Sequence, residues 1–425
     1  MWLNPTRPKS QPLLALSYWN AAMLYPPLPW ELRDQIFSHL RAVDQSMCSL
    51  VSRDWRYIAQ RHLLRGVLVR HYSPQWALHS FIEFLEHTFD TQSGIAGCVQ
   101  RVTITGGNIS FQLNRTPRRA AMSIEELSRM LAMLPSLRSL RIDNVELECN
   151  VMVPMLSPPR NLIILNIKQS KLNIPTSYSP SALSLLFTLF SSIRRVTLDS
   201  VLDSSYDAGL LDDDTAHSRL VPQCHTPTTL CIRDLTILDS TSTTLGRLCD
   251  YLRHASHIEV TDSLILLSDA SNAKEVIEAF GRSVTRLELH GYSDDFIENR
   301  NWTSHCKALC QLTVVARFDF EEFAAMHSLI SQSPNTLSSV ILHWLFDVDE
   351  EAEYPRSSIQ HLVGQNWDDL DSHLAHRPKL TQLELRFESF IPGILDLGLQ
   401  DALKSIPEKM PRLREKNAIS FVLIT

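Results

Sequence analysis

Three groups of cysteine and histidine lie close enough in the sequence to hold a metal ion: Cys224-His225 with Cys231, Cys249 with His254 and His257, and His305-Cys306 with Cys310. Structural zinc sites use four such ligands, usually as paired C-x-x-C knuckles or histidines on one helical face. None of the three groups has that form, and Cys249 and His254, five residues apart, fall off one face. Cys231 and Cys310 flank or sit within strand patterns, where a small thiol packs well. No metal and no cofactor are therefore expected. The phosphate-cradling GxxxxGK[ST], the nucleophile turn GxSxG and the zinc motif HExxH do not occur. Gly106-Gly107 follows a strand pattern but lacks the further glycines of a nucleotide loop, so it reads as a turn. No catalytic residue is expected.

Charge narrows the partners. The 425 residues include 40 basic and 47 acidic side chains, a formal net charge of -7. An acidic chain lacks the basic surface that displaces counterions from nucleic acid, so nucleic-acid binding is not expected. The excess is local: Asp347 to Asp371 holds eight acidic residues and one arginine, and Asp199 to Arg219 holds six and one. Arg115, Arg118 and Arg119 form an opposing basic stretch. These are either solvated insertions or loops that steer a basic partner. The hydrophobic share is 44%, and Gly is only 12 residues, so the chain is neither disordered nor collagen-like. The longest apolar run, Ala182 to Ile193, carries Ser and Thr and falls short of a membrane span. Eight sparse cysteines point to a reducing compartment, cytoplasmic or nuclear.

Elements must position whatever function remains. Between Pro26 and Leu64 the spacing predicts three short helices. Pro29 suits a first helical turn, and Leu32, Ile36, Phe37 and Leu40 fall on one face. Asp44 is placed to cap a helix over Gln45–Val51, and Ser52 one carrying Trp55, Ile58, Ala59 and Leu63. Some 40 residues cannot bury all these side chains alone. They either leave apolar surface for another molecule or fill a small helical cap on the following domain.

The string Leu28-Pro29-Trp30-Glu31-Leu32, then Ile36-Phe37, Leu40, Asp44, and Ser49-Leu50-Val51-Ser52-Arg53 with Trp55 and Arg56, resembles an F-box. The resemblance implies docking onto the Skp adaptor of a cullin–RING ubiquitin ligase. On matching positions, Leu28, Pro29, Leu32, Ile36, Leu50 and Val51 face the adaptor, and Trp55 holds the helices together. The expected division is an extension over 1–25, expected to be flexible, an F-box over 26–65 and a second domain over 66–425.

The second domain repeats the pattern apolar-x-x-apolar-x-apolar. Copies end in Val102/Ile104, Leu140/Ile142, Leu165/Ile167, Val196/Leu198, Leu235/Ile237, Ile258/Val260, Leu287/Leu289, Leu312/Val314, Val340/Leu342 and Leu383/Leu385. Leu64/Val67/Val69 and Ile419/Phe421/Leu423 extend the series at its two ends. Successive copies lie 23 to 43 residues apart. Between them, Ser123 with Glu126, Asn272 with Glu275, Asp319 with Glu322 and Ser357 with Gln360 read as capping boxes, and Pro180 heads a helix over Ser181–Phe190. Alternating strands and helices imply an α/β fold with a parallel sheet. The residue between the last two apolar positions is polar in every copy but one, Ile341, so one sheet face is open to water.

This resembles an irregular leucine-rich-repeat solenoid, a one-sided parallel sheet with helices on the convex side, without the family's asparagine ladder. Together the two halves are similar to F-box proteins with degenerate repeats common in basidiomycete fungi. The implied function is the non-catalytic substrate receptor of an SCF-type ligase; the alternative is an F-box scaffold acting outside ubiquitination. Expected partners are the adaptor, cullin and RING subunits through it, and a protein target, with no membrane. The expected target surface is Arg141, Asp143, Lys168, Arg195, Glu259, Arg286, Glu288, His290, His343, Glu384 and Arg386.

Overall fold

The computed structural model describes residues 28–71, 77–90, 94–106, 120–148, 158–172, 182–203, 230–238, 258–267, 270–291, 302–317, 320–346, 354–389 and 399–424. The extension over 1–25, the basic stretch Arg115 to Arg119, Cys224, His225, Cys249, His254, His257, residues 204–219 of one acidic stretch and 347–353 of the other lie outside the described residues. Contacts divide the chain between Arg65 and Gly66. Among the described residues, no helix is long and apolar enough to cross a membrane.

The first unit is three helices, α1 (Trp30–His39), α2 (Ala42–Cys48) and α3 (Arg53–Leu63). Ser52 caps α3, its hydroxyl accepting from the Trp55 amide at 3.3 Å. Asp44 does not cap α2. That helix begins at Ala42, and Asp44 instead lies in its first turn, paired with Arg41 at 3.0 Å. The amide of Gln45 is the missing end-piece. It donates to the Phe37 and Leu40 carbonyls at 2.8 and 3.0 Å, adding a second donor to the Phe37 carbonyl, which also takes the Leu40 amide, at the end of α1. Phe37, Ile58 and Ala59 form the buried centre, bordered by Leu40, Cys48 and Trp55. Trp55 meets Phe37 edge-on at 5.6 Å, and His62 bridges to Asp34 at 2.9 Å.

The second unit is built on one twelve-stranded sheet, every pairing parallel. Its strands are β1 (Gly66–His71), β2 (Arg101–Gly106), β3 (Ser139–Asp143), β4 (Arg160–Lys168), β5 (Phe190–Asp199) and β6 (Leu230–Leu238). They continue as β7 (Ile258–Leu267), β8 (Arg286–Gly291), β9 (Gln311–Arg317), β10 (Ser339–Phe346), β11 (Gln382–Ser389) and β12 (Ile419–Ile424). Order across the sheet is order along the chain. A doubly wound sheet would reverse direction at a switch point; this one never does. The alternating apolar residues of each strand join helices such as α4 (Ala77–Asp90), α5 (Ile124–Met133), α6 (Ala182–Thr188), α7 (Ala270–Phe280), α8 (Phe320–Gln332), α9 (Tyr354–Gly364) and α10 (Trp367–Ala375) in one continuous core.

Neighbouring strands are stitched by backbone. At the second position of the apolar motif, one carbonyl accepts two amides of the next copy. Gln100 takes Arg138 and Ser139 (2.8 and 3.0 Å), Thr285 takes Cys310 and Gln311 (2.8 and 3.0 Å), and Cys310 takes Ser338 and Ser339 (2.8 and 3.0 Å). Arg138 and Ser338 do the same for β4 and β11. Past β3, β4 and β5 the chain turns a corner at Asn144, Gln169 and Ser200, all left-handed (φ 52°, 45° and 51°). The Asn144 and Gln169 amides again bond the next copy, to Lys168 and Asp199 at 2.8 and 2.7 Å. Beyond each corner a short strand enters a separate four-stranded parallel sheet of Ala120–Ser123, Val145–Glu148, Lys171–Leu172 and Leu202–Asp203. Buried Ser170 stands where an asparagine ladder would run; its hydroxyl donates to Lys168 O at 2.8 Å and accepts from Val145 N at 3.4 Å.

Several local expectations shift. Ser123 and Glu126 form the full capping box at the head of α5. Asn272 and Ser357 instead lie inside α7 and α9, which begin at Ala270 and Tyr354. Pro180 and Asp319 fall outside the described residues, and Phe190 opens β5 rather than closing a helix. The apolar pair that enters the common register of β7 is Leu264/Leu266, opposite Leu287/Leu289, not Ile258/Val260. A register shift between Ile232 and Asp234 accommodates the difference. Asp371 and its neighbours are not loop residues: Asp368 and Asp369 open α10, and buried Asp371 accepts from the Arg412 and Leu413 amides at 3.1 and 2.8 Å.

Gly106 closes β2 against the first corner. A Cβ there would stand 2.0 Å from the Asn144 carbonyl oxygen, and the Asn144 side chain donates to the Gly106 carbonyl at 3.1 Å. Gly106→Ala is expected to lower stability by about 1–3 kcal/mol, read from urea unfolding of the full chain. An unchanged midpoint would show that this corner yields freely.

Candidate functional site

The first unit exposes what most domains hide. Leu50, Val51, Val43 and Met47 are 72%, 69%, 71% and 64% exposed, and Leu28, Leu32 and Ile36 are also on the surface. So is Pro29. Set against a centre of three fully buried residues, this is a large apolar surplus. Sequence reasoning missed Val43, Met47 and Tyr57. The true start of α2 at Ala42 puts Val43 and Met47 four residues apart on one helical face. Tyr57 lies 6.4 Å from Trp30, whose ring also carries Arg61 at 5.3 Å.

Residues 27–65 match the family model of the F-box domain. This module is an F-box. F-box domains bind Skp-type adaptors and are the adaptor-binding components of SCF-type ubiquitin ligases; their proteins are generally non-catalytic. The chain as a whole matches no curated protein.

The second candidate surface is the open face of the sheet, on which cross-strand register places the charged residues. Arg141 donates to Asp143 at 2.7 Å, and Lys168 lies 2.6 Å from Asp199 on the next strand. Arg286 reaches back to Asp262 at 2.9 Å and to Asp234 at 3.8 Å; Arg233 meets Asp262 at 3.0 Å. Burial raises the Asp262 carboxyl, but hydrogen bonds from Thr285, Arg233 and Arg286 outweigh it, and the net shift is downward. Glu288 bonds His290 at 2.6 Å, which holds its carboxyl below the usual range. Glu384 and Arg386 pair at 2.5 Å. Glu259 is exposed opposite Cys231, six residues before Ile265, which occupies the place in the central row expected for it.

Between β8 and β11 these side chains rim a cleft of about 450 Å³. Its floor is Val315, Ile341 and Leu345; Glu288, His290, His343, Arg386 and Glu388 stand around it. His343 lies 3.0 Å from Glu388, close enough for an ion pair but off the line of a good hydrogen bond. Burial pushes its imidazole down, Arg386 and His290 add to this, and Glu388 opposes it, with a net lowering. On the helical side, His327 of α8 meets His373 of α10 edge-on at 4.8 Å and is pushed down by burial and by that neighbour, against Asp369. Among the described residues, no group of three or more potential metal ligands gathers.

Two outcomes follow. Phe37→Ala should cost the F-box about 3–5 kcal/mol and speed amide exchange across residues 30–63 of the full chain, whereas Leu50→Asp should leave exchange there unchanged. Equal effects would contradict the division between centre and surface. For pH, His343 and His327 favour the neutral form when folded. Stability should therefore be full above the ordinary histidine value of about 6.5 and decline as pH falls below it. Unfolding at pH 7.5 and 5.5 tests this, and a joint His327→Gln, His343→Gln variant should flatten the slope.

Proposed function

We propose that this chain is the substrate-recognition subunit of an SCF-type cullin–RING ubiquitin ligase, working in the cytoplasm or nucleus. The F-box docks the adaptor, and through it cullin and the RING subunit. The sheet unit acts as an irregular leucine-rich-repeat solenoid that holds a target protein on its open face. The pairing of these two parts is similar to the fungal F-box proteins with degenerate repeats. Ubiquitin transfer is done by other subunits, and this chain contributes proximity, which turns a bimolecular encounter into a near-intramolecular step.

The observation that carries the reading is the apolar surplus on the matched module. Leu50, Val51, Val43 and Met47 lie exposed beside a very small core, a surface that a partner must cover. Each large side chain so covered is worth about 1.5–3 kcal/mol, enough for a few to anchor a complex. Ile36→Asp is expected to abolish co-purification with a Skp-type adaptor while the sheet unit's thermal transition stays in place. Retained adaptor binding would remove the docking assignment. Recovery of cullin with the adaptor separates a ligase subunit from a scaffold acting outside ubiquitination.

A further inference from the structure

The open face divides into two halves once its internal pairs are set aside. On β1 to β5, Arg141 and Lys168 are satisfied by Asp143 and Asp199, which leaves Arg70, Arg101 and Arg195 exposed with no carboxylate partner among the described residues. On β6 to β11, Arg233 and Arg286 balance Asp234 and Asp262, and Arg386 balances Glu384. Glu259 is left over; Glu288 and Glu388 bond imidazoles, with Arg386 also acting on Glu288 and Arg317 in the register row of Glu388, so six carboxylates stand against four arginines among the described residues of this half. The surplus is thus cationic on one half and anionic on the other. The anionic half also has the apolar floor of Val315, Ile341 and Leu345, a surface suited to the methylene stem of lysine or arginine with its charge at the rim.

We propose that the open face binds a protein segment whose charges come in two blocks, acidic side chains over β1 to β5 and basic side chains over β7 to β11. This rests on the reading that the open face holds the target and specifies its chemistry. Strand spacing sets the length. Ten intervals of about 4.8 Å separate β1 from β11, roughly 48 Å, or about 14 residues of extended chain. A segment with alternating charges cannot satisfy both halves, because each half then meets as many like charges as opposite ones.

The test uses the full chain and fluorescent peptides of about 16 residues in fluorescence anisotropy. One carries a glutamate block followed by a lysine block, a second the reverse order, a third the same composition in alternation, and a fourth glutamate alone. At least one block order should bind about tenfold or more tighter than the alternating peptide, and weaken as salt is raised. Arg101→Gln with Arg195→Gln should reduce that binding about tenfold. Both residues are exposed with no described carboxylate partner, so the fold is not at stake. Glu288→Gln with Glu388→Gln should do the same from the other half, with circular dichroism confirming the fold. Equal affinity for block and alternating peptides, or full binding by either double variant, overturns the proposal. So does an all-glutamate peptide or a short RNA that binds as tightly as the block peptide, which would make this a plain anion surface. Adaptor co-purification is read separately: a chain that binds adaptor but shows no block preference loses this inference and keeps the receptor reading.

Discussion

The sheet unit depends on one repeated interaction: a backbone carbonyl at the second motif position that accepts two amides from the next strand. Gln100, Arg138, Thr285, Cys310 and Ser338 all supply it, and their side chains have nothing in common. Because the bond is made by main chain, side-chain identity is free to vary, provided the flanking apolar residues stay buried. That explains how the array continues without a ladder of asparagines. The left-handed corners work the same way, with Asn144, Gln169 and Ser200 each offering an amide to the following copy. Helix ends are tied across copies by arginines. Arg160 donates to the Leu134 and Ala132 carbonyls, and buried Arg377 to those of Ser333 and Pro334, so α5 and α8 are each closed by a residue from the next turn of chain.

The two units reach stability by different means. In the sheet unit one apolar layer runs without a break from Val69 to Ala418. In the F-box a single phenylalanine, an isoleucine and an alanine are fully buried. Its helices are held instead by specific polar contacts, Gln45 on the end of α1 and His62 on Asp34, and by the Phe37–Trp55 edge contact. A module with so small a centre has little stability to spare, so covering its outer apolar residues stabilises the fold and the complex together.

Periodicity made the strands legible, because an apolar-x-x-apolar-x-apolar pattern survives even where the helices between are hard to read. Legibility failed where two patterns competed. In β7, Ile258/Val260 and Leu264/Leu266 both fit, and only the register with β8 decides between them. Helix starts were misplaced where a residue able to cap sat two or three positions inside the true start, as with Asp44, Asn272 and Ser357. The acidic stretch ending at Asp371 read as solvated chain because charge alone does not reveal a buried carboxylate closing the start of a helix 40 residues later. On the F-box, hallmark spacing marked Leu28, Leu32, Ile36, Leu50 and Val51, whereas Val43 and Met47 needed the observed start of α2.

Charge on the open face shows why composition is a poor guide to a binding surface. Reading the strands one at a time yields a mixture of arginine, lysine, glutamate and histidine with no direction to it. Register converts the mixture into pairs. Arg286 finds Asp262 only because β7 is shifted so that Ser263 stands opposite it, and Lys168 finds Asp199 only because β4 and β5 align there. Exposed pairs of this kind add little to stability, at most about 1 kcal/mol each. Their larger effect is to cancel charge locally, so that the unpaired residues set the field a partner meets. Here the cancellation is uneven along the sheet, and it leaves cations near its start and carboxylates near its far end. Regular apolar spacing builds the face; irregular side chains between those positions give it a polarity.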